Sequence, residues 1–198
     1  MKTTNAAGRV QLEAMKLFAI HGFEGTSMEA IAKQVGIRKA SLYSHFKGKE
    51  ALFMSIVHDL VEDNKQSLQR LRKQVADQSI ERQLHTYFRY LSEYPLEENK
   101  QFEFQFFRHM LFFPPTALYE ELRLKLEEYE LLLKDSLASV IKSGIEDEVI
   151  RTEPVEDLVT AFLCAADGVM MQIHYVSDES FKQTAETMWR MFWFGISV

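Results

Sequence analysis

The sequence predicts an all-α protein of about nine helices, with a three-helix domain over residues 1–50 and a larger helical domain over residues 51–198. Glycine and proline, which interrupt helices, occur only eight and four times in 198 residues. Apolar side chains recur every three to four residues along most of the chain, and few stretches alternate with the period of two that strands require. The apolar fraction of 46% is ample for a packed core.

The first helix is predicted over residues 5–21, and Gly22 ends it. Its inward residues recur at helical spacing: Val10, Ala14, Leu17, Phe18 and His21. Thr26 and Glu29 have the spacing of a capping box, in which the Thr26 hydroxyl accepts a hydrogen bond from the Glu29 amide. A second, short helix is therefore predicted to begin at this point.

Gly36 is expected to take a left-handed turn between the second helix and a third short helix over residues 38–45. Leu42 and Phe46 are the inward residues of the third helix. Two short helices joined by a tight glycine turn, and braced by a preceding helix, form a helix-turn-helix. Because helices this short are marginal by themselves, we expect the polar face of the third helix to be presented to a partner.

A long fourth helix is predicted to begin at Gly48-Lys49-Glu50, and five further helices follow residue 75. These five helices lie near residues 78–93, 97–112, 115–143, 154–176 and 179–196. The residues that separate them are Pro95, Pro114, Pro115, Gly144 and Pro154.

Charge is distributed unevenly along the chain. The net charge is −6, but residues 1–50 hold eight Lys and Arg against four Glu, which makes this part +4 and the remainder −10. Such asymmetry is typical of a protein whose basic end binds nucleic acid. The sequence therefore predicts that any contact with nucleic acid involves the amino-terminal helices.

Several classes of protein are disfavoured by composition. A single cysteine, Cys164, excludes an intramolecular disulfide and a cysteine-based zinc site, and its apolar surroundings in sequence predict a small buried side chain. No stretch has the length of a membrane span or the pattern of a signal peptide, so a cytoplasmic protein without membrane contact is expected. No metal site and no cofactor is expected.

The predicted third helix carries polar side chains suited to the edges of DNA bases. The major groove admits one α-helix with its side chains. Arg38 and Lys39 can reach a guanine edge, Ser41 can donate or accept at either base pair, and the small Ala40 permits close approach to a thymine methyl group. Double-stranded DNA is the predicted partner of this helix.

Flanking residues are suited to the phosphate backbone. Tyr43, His45 and Lys49 are candidates for phosphate contacts, and Lys49 also lies near the amino end of the fourth helix. Amide groups at the start of the second helix, at Thr26 and Ser27, are further candidates, because the first amides of a helix attract anions.

Residues 22–32 (GFEGTSMEAIA) and 36–52 (GIRKASLYSHFKGKEAL) resemble the DNA-binding region of TetR-like repressors. The resemblance implies an all-helical homodimer with three-helix DNA-binding heads. It also implies that a small effector, bound in the larger domain, separates the heads and releases operator DNA. One position departs from the pattern, because Arg38 stands where the family usually has a small hydroxyl residue that caps the recognition helix. We hypothesise that Arg38 contacts DNA instead.

The segment 102–113 is unusually aromatic and is apolar on two helical faces. One face carries Phe102, Phe106, Met110 and Phe113, and the other carries Phe104, Phe107 and Leu111. One face is expected to pack in the core and the other to line a cavity for a largely apolar effector, with plain core packing as the alternative. The candidate pocket residues are Tyr87, Phe102, Phe106, His109, Met110, Phe113, Tyr129, Phe162, Met170 and His174, and the possible polar anchors are Arg108, His109 and His174.

The last two predicted helices have the composition of a dimer interface. Small residues on the first of them allow two backbones to approach closely, and large apolar residues follow on the second. The candidate interface residues are Ala161, Ala165, Gly168, Trp189, Phe192 and Trp193. Pairing of these helices from two chains would form a four-helix bundle, and the twofold axis would predict a palindromic operator.

Two other functions are consistent with an all-α chain. An all-α enzyme is one, although the sequence contains no glycine-rich phosphate loop, nucleophile elbow or His-Glu-x-x-His zinc helix, and we expect no catalytic activity. A helical protein-interaction module is the other, and DNA binding that weakens steeply with salt would separate it from a DNA-binding regulator.

Overall fold

The computed structural model describes residues 6–93, 100–173 and 175–198, and these residues confirm the all-α prediction. They form nine α-helices: α1 (Ala6–His21), α2 (Met28–Val35), α3 (Lys39–His45), α4 (Lys49–Val75), α5 (Ile80–Ser92), α6 (Gln101–Phe112), α7 (Tyr119–Glu146), α8 (Val155–Gln172) and α9 (Asp178–Ile196). A short 3-10 turn, Thr116–Leu118, precedes α7. Where the predicted ends fall on described residues, they agree with the observed bounds to within about one helical turn, and the predicted starts at residues 5 and 97 lie outside the described residues.

The chain forms two compact units. Unit 1 comprises Met1–Gln66 and Asn99–Tyr129, and unit 2 comprises Ser67–Glu98 and Glu130–Val198. Unit 1 therefore holds α1, α2, α3 and α6, because α6 packs along α1. The predicted boundary at residue 50, between a DNA-binding domain and a larger effector-binding domain, concerns function and stays a prediction.

Unit 1 is built around a cluster of phenylalanine rings. The centroid of Phe53 on α4 lies 5.2 Å from that of Phe18, 5.1 Å from that of Phe23 and 5.0 Å from that of Phe106. The first two pairs are edge-to-face, which is the favoured geometry for aromatic rings. The amino-terminal helices thus share one core with α6. His21, predicted to face inward, is exposed at the end of α1.

The start of α2 differs from the predicted capping box. The N-cap is Ser27, whose side-chain oxygen accepts a 3.1 Å hydrogen bond from the Ala30 amide. The Thr26 hydroxyl instead donates to the Gly22 carbonyl at 2.8 Å, and Thr26 is only 2% exposed. The prediction that Thr26 caps this helix is therefore wrong by one residue, because its side chain closes the preceding loop.

Gly25 lies in that loop, against the last turn of α1. A Cβ atom at this position would lie 2.3 Å from the His21 carbonyl oxygen, which only a movement of the backbone could relieve. We therefore expect Gly25→Ala to lower the free energy of unfolding by about 2 kcal/mol or more, as measured by urea denaturation followed by circular dichroism.

Gly48→Ala is the matched control for this substitution, because a Cβ atom at Gly48 would meet only a carboxylate oxygen of Glu50, at 3.3 Å. That side chain is flexible and can move away. Equal losses of stability in the two variants would show that the close approach at Gly25 does not constrain the loop.

Unit 2 is built from α5, α8 and α9, which pack against one another. Phe88 on α5 lies edge-to-face against Phe162 on α8, with 5.8 Å between the ring centroids, and both side chains are fully buried. Phe192 on α9 contacts the same Phe162 ring at 5.4 Å. The end of α9 is tied back by a β-bridge between Ile150 and Ser197.

Cys164 is exposed, which contradicts the prediction of a buried side chain. The apolar run around it winds around α8, so Phe162 and Ala166 turn inward while Cys164, two residues from each, turns outward. An apolar neighbourhood in sequence did not imply burial, because a helix sends successive residues to different faces.

Candidate nucleic-acid interface

The turn between α2 and α3 has the geometry expected of a helix-turn-helix. Gly36 ends α2 with φ of 78°, and its amide donates to the carbonyl groups of Ala32 and Lys33. The Ile37 amide also donates to the Ala32 carbonyl, at 3.0 Å. These bonds satisfy the last carbonyl groups of α2 within a left-handed turn that glycine adopts without strain.

One side chain anchors α3, and the rest of the helix faces outward. Leu42 is fully buried in the core of unit 1. The predicted base-contacting residues are all exposed: Arg38, Lys39, Ala40 and Ser41. Tyr43 and His45, predicted to contact phosphates, are exposed as well, and Tyr43 is 48% exposed despite its large apolar ring. A short helix held by one apolar residue thus presents a continuous polar surface.

Arg38 occupies the N-cap position of α3 with extended backbone dihedral angles, and its side chain makes no capping hydrogen bond. The amides at the start of α3 therefore receive no side-chain acceptor from this residue. Arg38 is exposed, so its guanidinium group is accessible to a phosphate.

The two lysines predicted to contact DNA, Lys39 and Lys49, differ in how firmly the rest of the protein holds their side chains. Lys39 lies 3.9 Å from Glu29, and both side chains are more than half exposed, so this ion pair is weak and readily exchanged. Lys49 donates to the Phe23 carbonyl at 2.8 Å and lies 4.1 Å above the Phe23 ring. Its side chain is 19% exposed and braces the loop before α2, so a phosphate contact for Lys49 stays a prediction.

Thr26 requires a correction as a candidate DNA contact. Its buried hydroxyl donates to Gly22, and its amide lies 3.3 Å from the Phe23 carbonyl, which accepts its hydrogen bond. Neither group is directed to a ligand. Ser27 is exposed at the start of α2 and remains a candidate. Lys47, exposed between α3 and α4, is a cation that the candidate set omitted, although its charge alone could have suggested it.

The residues proposed for an effector pocket are distributed over both units. In unit 1, Phe106 and Met110 belong to the core beneath the amino-terminal helices, which favours the alternative of plain core packing for these two side chains. Phe113 is 75% exposed and Phe102 is 37% exposed, so neither lines an enclosed cavity in this structure. His109 and Tyr129 are partly buried.

In unit 2, Tyr87 and Phe162 are fully buried and Met170 is partly buried. The Tyr87 hydroxyl is buried and has no hydrogen-bond partner within the described part of the chain. Burial raises the pKa of this phenol, so it stays protonated and can donate. His174 lies outside the described residues.

The predicted interface residues on α8 are accessible, whereas one on α9 is not. Ala161 and Gly168 are exposed and Ala165 is half-buried. Trp189, however, is only 6% exposed, because its own chain covers it: Trp189 stacks on His85 at 4.9 Å. The Trp189 indole is therefore buried within the single chain. Phe192 and Trp193 are partly buried.

Two other properties of the described residues bear on function. Within residues 6–93, 100–173 and 175–198, no group of three His, Cys, Asp or Glu side chains is arranged to hold a metal ion. No helix in the same ranges combines the length and the apolar character that crossing a bilayer requires.

Residues 13–56 match the family model described as bacterial regulatory proteins, tetR family. Over 40 residues the chain is 48% identical to the biofilm operon icaADBC HTH-type negative transcriptional regulator IcaR of Staphylococcus aureus, a match covering 20% of this chain and 22% of that protein. The chain thus matches less than a quarter of the length of its first curated relatives. The family match includes the helix-turn-helix, α2 and α3.

Solved structures share the fold over nearly the whole chain. A transcriptional regulator from Saccharomonospora viridis in complex with choline has a TM-score of 0.79 at 17% identity, with 98% of each chain covered. FadR from Bacillus subtilis in complex with stearoyl-CoA has a TM-score of 0.70 at 17% identity, with 95% of this chain and 98% of that chain covered. At this level of identity the likeness is one of fold.

Proposed function

We propose that this chain, which belongs to the TetR family of bacterial transcriptional regulators, is a repressor that binds a palindromic operator as a homodimer. A small, largely apolar effector releases it from DNA. The observation that carries the proposal is the polar surface of α3, which is exposed around the single buried anchor Leu42.

The chemistry of α3 supports recognition of base edges. Arg38 and Lys39 are long donors suited to the O6 and N7 atoms of guanine, and Ser41 can donate or accept. Tyr43 and His45 lie toward the end of the helix and supply donors for phosphate oxygens. The net charge of +4 over residues 1–50 favours the approach of a polyanion despite the acidic remainder.

Repression, rather than activation, is proposed because the matched Staphylococcus relative is a negative transcriptional regulator. An effector is proposed because solved structures with this fold hold choline or stearoyl-CoA. In this chain, the buried Tyr87 phenol supports a pocket with a hydrogen-bond donor in largely apolar surroundings in unit 2. The hydroxyl of the nearby Ser136 donates to the Leu132 carbonyl, so its oxygen competes with a ligand as the acceptor for the Tyr87 phenol.

The outward faces of α8 and α9 support a homodimer. Ala161 and Gly168 are exposed on α8, and Met188 and Met191 are 39% and 58% exposed on α9. A Cβ atom at Gly168 or Gly195 would meet nothing within 4 Å, so packing within the chain does not require glycine at either position. Small residues beside exposed methionines fit the close approach of a partner helix.

The operator contact is tested with Arg38→Ala. DNA fragments selected from genomic DNA by the purified protein provide the probe, and binding is followed by fluorescence anisotropy at several salt concentrations. We expect the substitution to weaken binding by roughly tenfold to a hundredfold, and to reduce the slope of log affinity against log salt by about one, because a phosphate contact is lost.

Arg82→Ala is the matched control, since Arg82 is exposed on α5 and its loss changes the net charge equally. An unchanged affinity and slope for Arg38→Ala would refute the role of Arg38. A wild-type protein that bound no DNA in a salt-dependent way would instead favour the protein-interaction module.

A further inference from the structure

A groove on unit 2 is lined in part by Trp189 and Trp193, two of the residues predicted for the dimer interface. It runs along α9 beside the first turn of α5 and has a volume of about 360 Å³. The groove is open to solvent, so a ligand would be only partly buried in it. Glu81 of α5 lines one side, and Glu186, Trp189, Arg190 and Trp193 of α9 line the other.

Three stacked rings lie at this groove, and two of them, Trp189 and Trp193, line it. Trp189 stacks on His85 with 4.9 Å between centroids and 21° between planes, and on Trp193 with 5.8 Å and 19°. Trp189 is nearly buried, whereas Trp193 is partly exposed and offers indole surface to a ligand. Indole is the aromatic group that binds cations most strongly through its face.

The charges around the rings favour a cation. Glu81 and Glu186 are both exposed, and Arg190 is the one cation among the described residues that line the groove. The lining therefore carries a net charge of −1. The nearby Arg89 is paired with Glu93, since its guanidinium donates to both carboxylate oxygens at 2.9–3.1 Å, and its charge also acts on Glu186.

One polar atom beside the groove is left unsatisfied. His85 Nε2 is buried and makes no hydrogen bond to any described residue, although Glu186 Oε1 lies 3.4 Å away. A buried nitrogen that lacks a hydrogen bond carries a desolvation penalty. The Glu186 carboxylate lies exposed beside this nitrogen.

We propose that this groove binds a small organic cation, whose charge lies between the Glu81 and Glu186 carboxylates and whose apolar body lies on the Trp193 indole. An anion would be repelled by two carboxylates, and a neutral apolar molecule would gain only the indole surface. The proposed dimer contact then uses the face of α9 that carries Met188 and Met191, and it does not include Trp193.

The test uses the tryptophan fluorescence of the full-length protein without DNA. Both tryptophans of the chain lie at this groove, so the emission reports on it alone. Benzyltrimethylammonium is the probe, titrated at constant ionic strength, with benzyl alcohol as its neutral counterpart. We expect a saturable change in emission with the cation and binding at least roughly tenfold weaker for the alcohol.

The double variant Glu81→Gln and Glu186→Gln is expected to bind the cation roughly tenfold more weakly, with unchanged helix content by circular dichroism. Its matched control is Glu146→Gln with Glu153→Gln, two exposed carboxylates elsewhere in unit 2. The proposal is overturned if the emission does not saturate, if the alcohol binds as well as the cation, or if both double variants bind alike. None of these outcomes depends on operator binding, so the proposed function is tested separately.

Discussion

Replacing Phe106 by alanine is expected to lower the free energy of unfolding by about 3–5 kcal/mol, because a large aromatic side chain is removed from a closed core. Phe106 is fully buried, and its ring lies 5.0 Å from Phe53 and 6.2 Å from Phe18. Through these contacts α6 packs on α1 and on the start of α4. The measurement is urea denaturation at one protein concentration, since self-association would otherwise change the apparent stability.

Phe113→Ala is the control for this prediction. It makes the same chemical change just after the end of α6, at a side chain that is 75% exposed. Its effect is expected to stay within about 0.5 kcal/mol. A loss below about 1 kcal/mol for Phe106→Ala would contradict its placement in the core and would restore the prediction that it lines a cavity. DNA binding should fall with Phe106→Ala in proportion to the unfolded fraction.

Replacing Met191 by glutamate is expected to weaken self-association by about two orders of magnitude or more, because the proposed interface would bury an unpaired charge. Met191 is 58% exposed in the single chain, on the same outward face of α9 as Met188. Sedimentation equilibrium measures the dissociation constant of the dimer. Operator affinity is expected to fall as well, because two linked heads bind two half-sites more tightly than one head binds one.

Leu131→Glu provides the matched control for the dimer prediction. Leu131 lies on α7 and is 56% exposed, so the substitution introduces the same charge at an apolar side chain of nearly equal exposure. It is expected to leave the dissociation constant unchanged. Similar weakening by both substitutions would contradict the placement of the interface on α9. A wild-type chain that stays monomeric at all concentrations would contradict the dimer itself.

Local patterns in the sequence predicted the helix-turn-helix well. The first helix was expected over residues 5–21 and is Ala6–His21, and the third was expected over 38–45 and is Lys39–His45. Gly36 has the left-handed conformation that its position predicted. These features depend on a few neighbouring residues, so the sequence pattern contains most of what determines them.

The N-cap of α2 was mispredicted for a local but conformational reason. Thr26 and Ser27 are adjacent hydroxyl residues, and either could cap the helix on spacing alone. The loop from Gly22 directs the Thr26 hydroxyl toward the Gly22 carbonyl, which leaves Ser27 to cap. The same contact removes Thr26 from the set of residues that can reach DNA.

Sequence by itself determined the all-α class, the residues that separate the helices and the exposed residues on α3. Each of these follows from short-range spacing and from the preferences of single residue types. Only the tertiary structure decided that Phe106 lies in a core, that Cys164 is exposed and that Trp189 is covered by its own chain. Periodicity identifies an apolar face but not what covers it, and that depends on helices far apart in the chain.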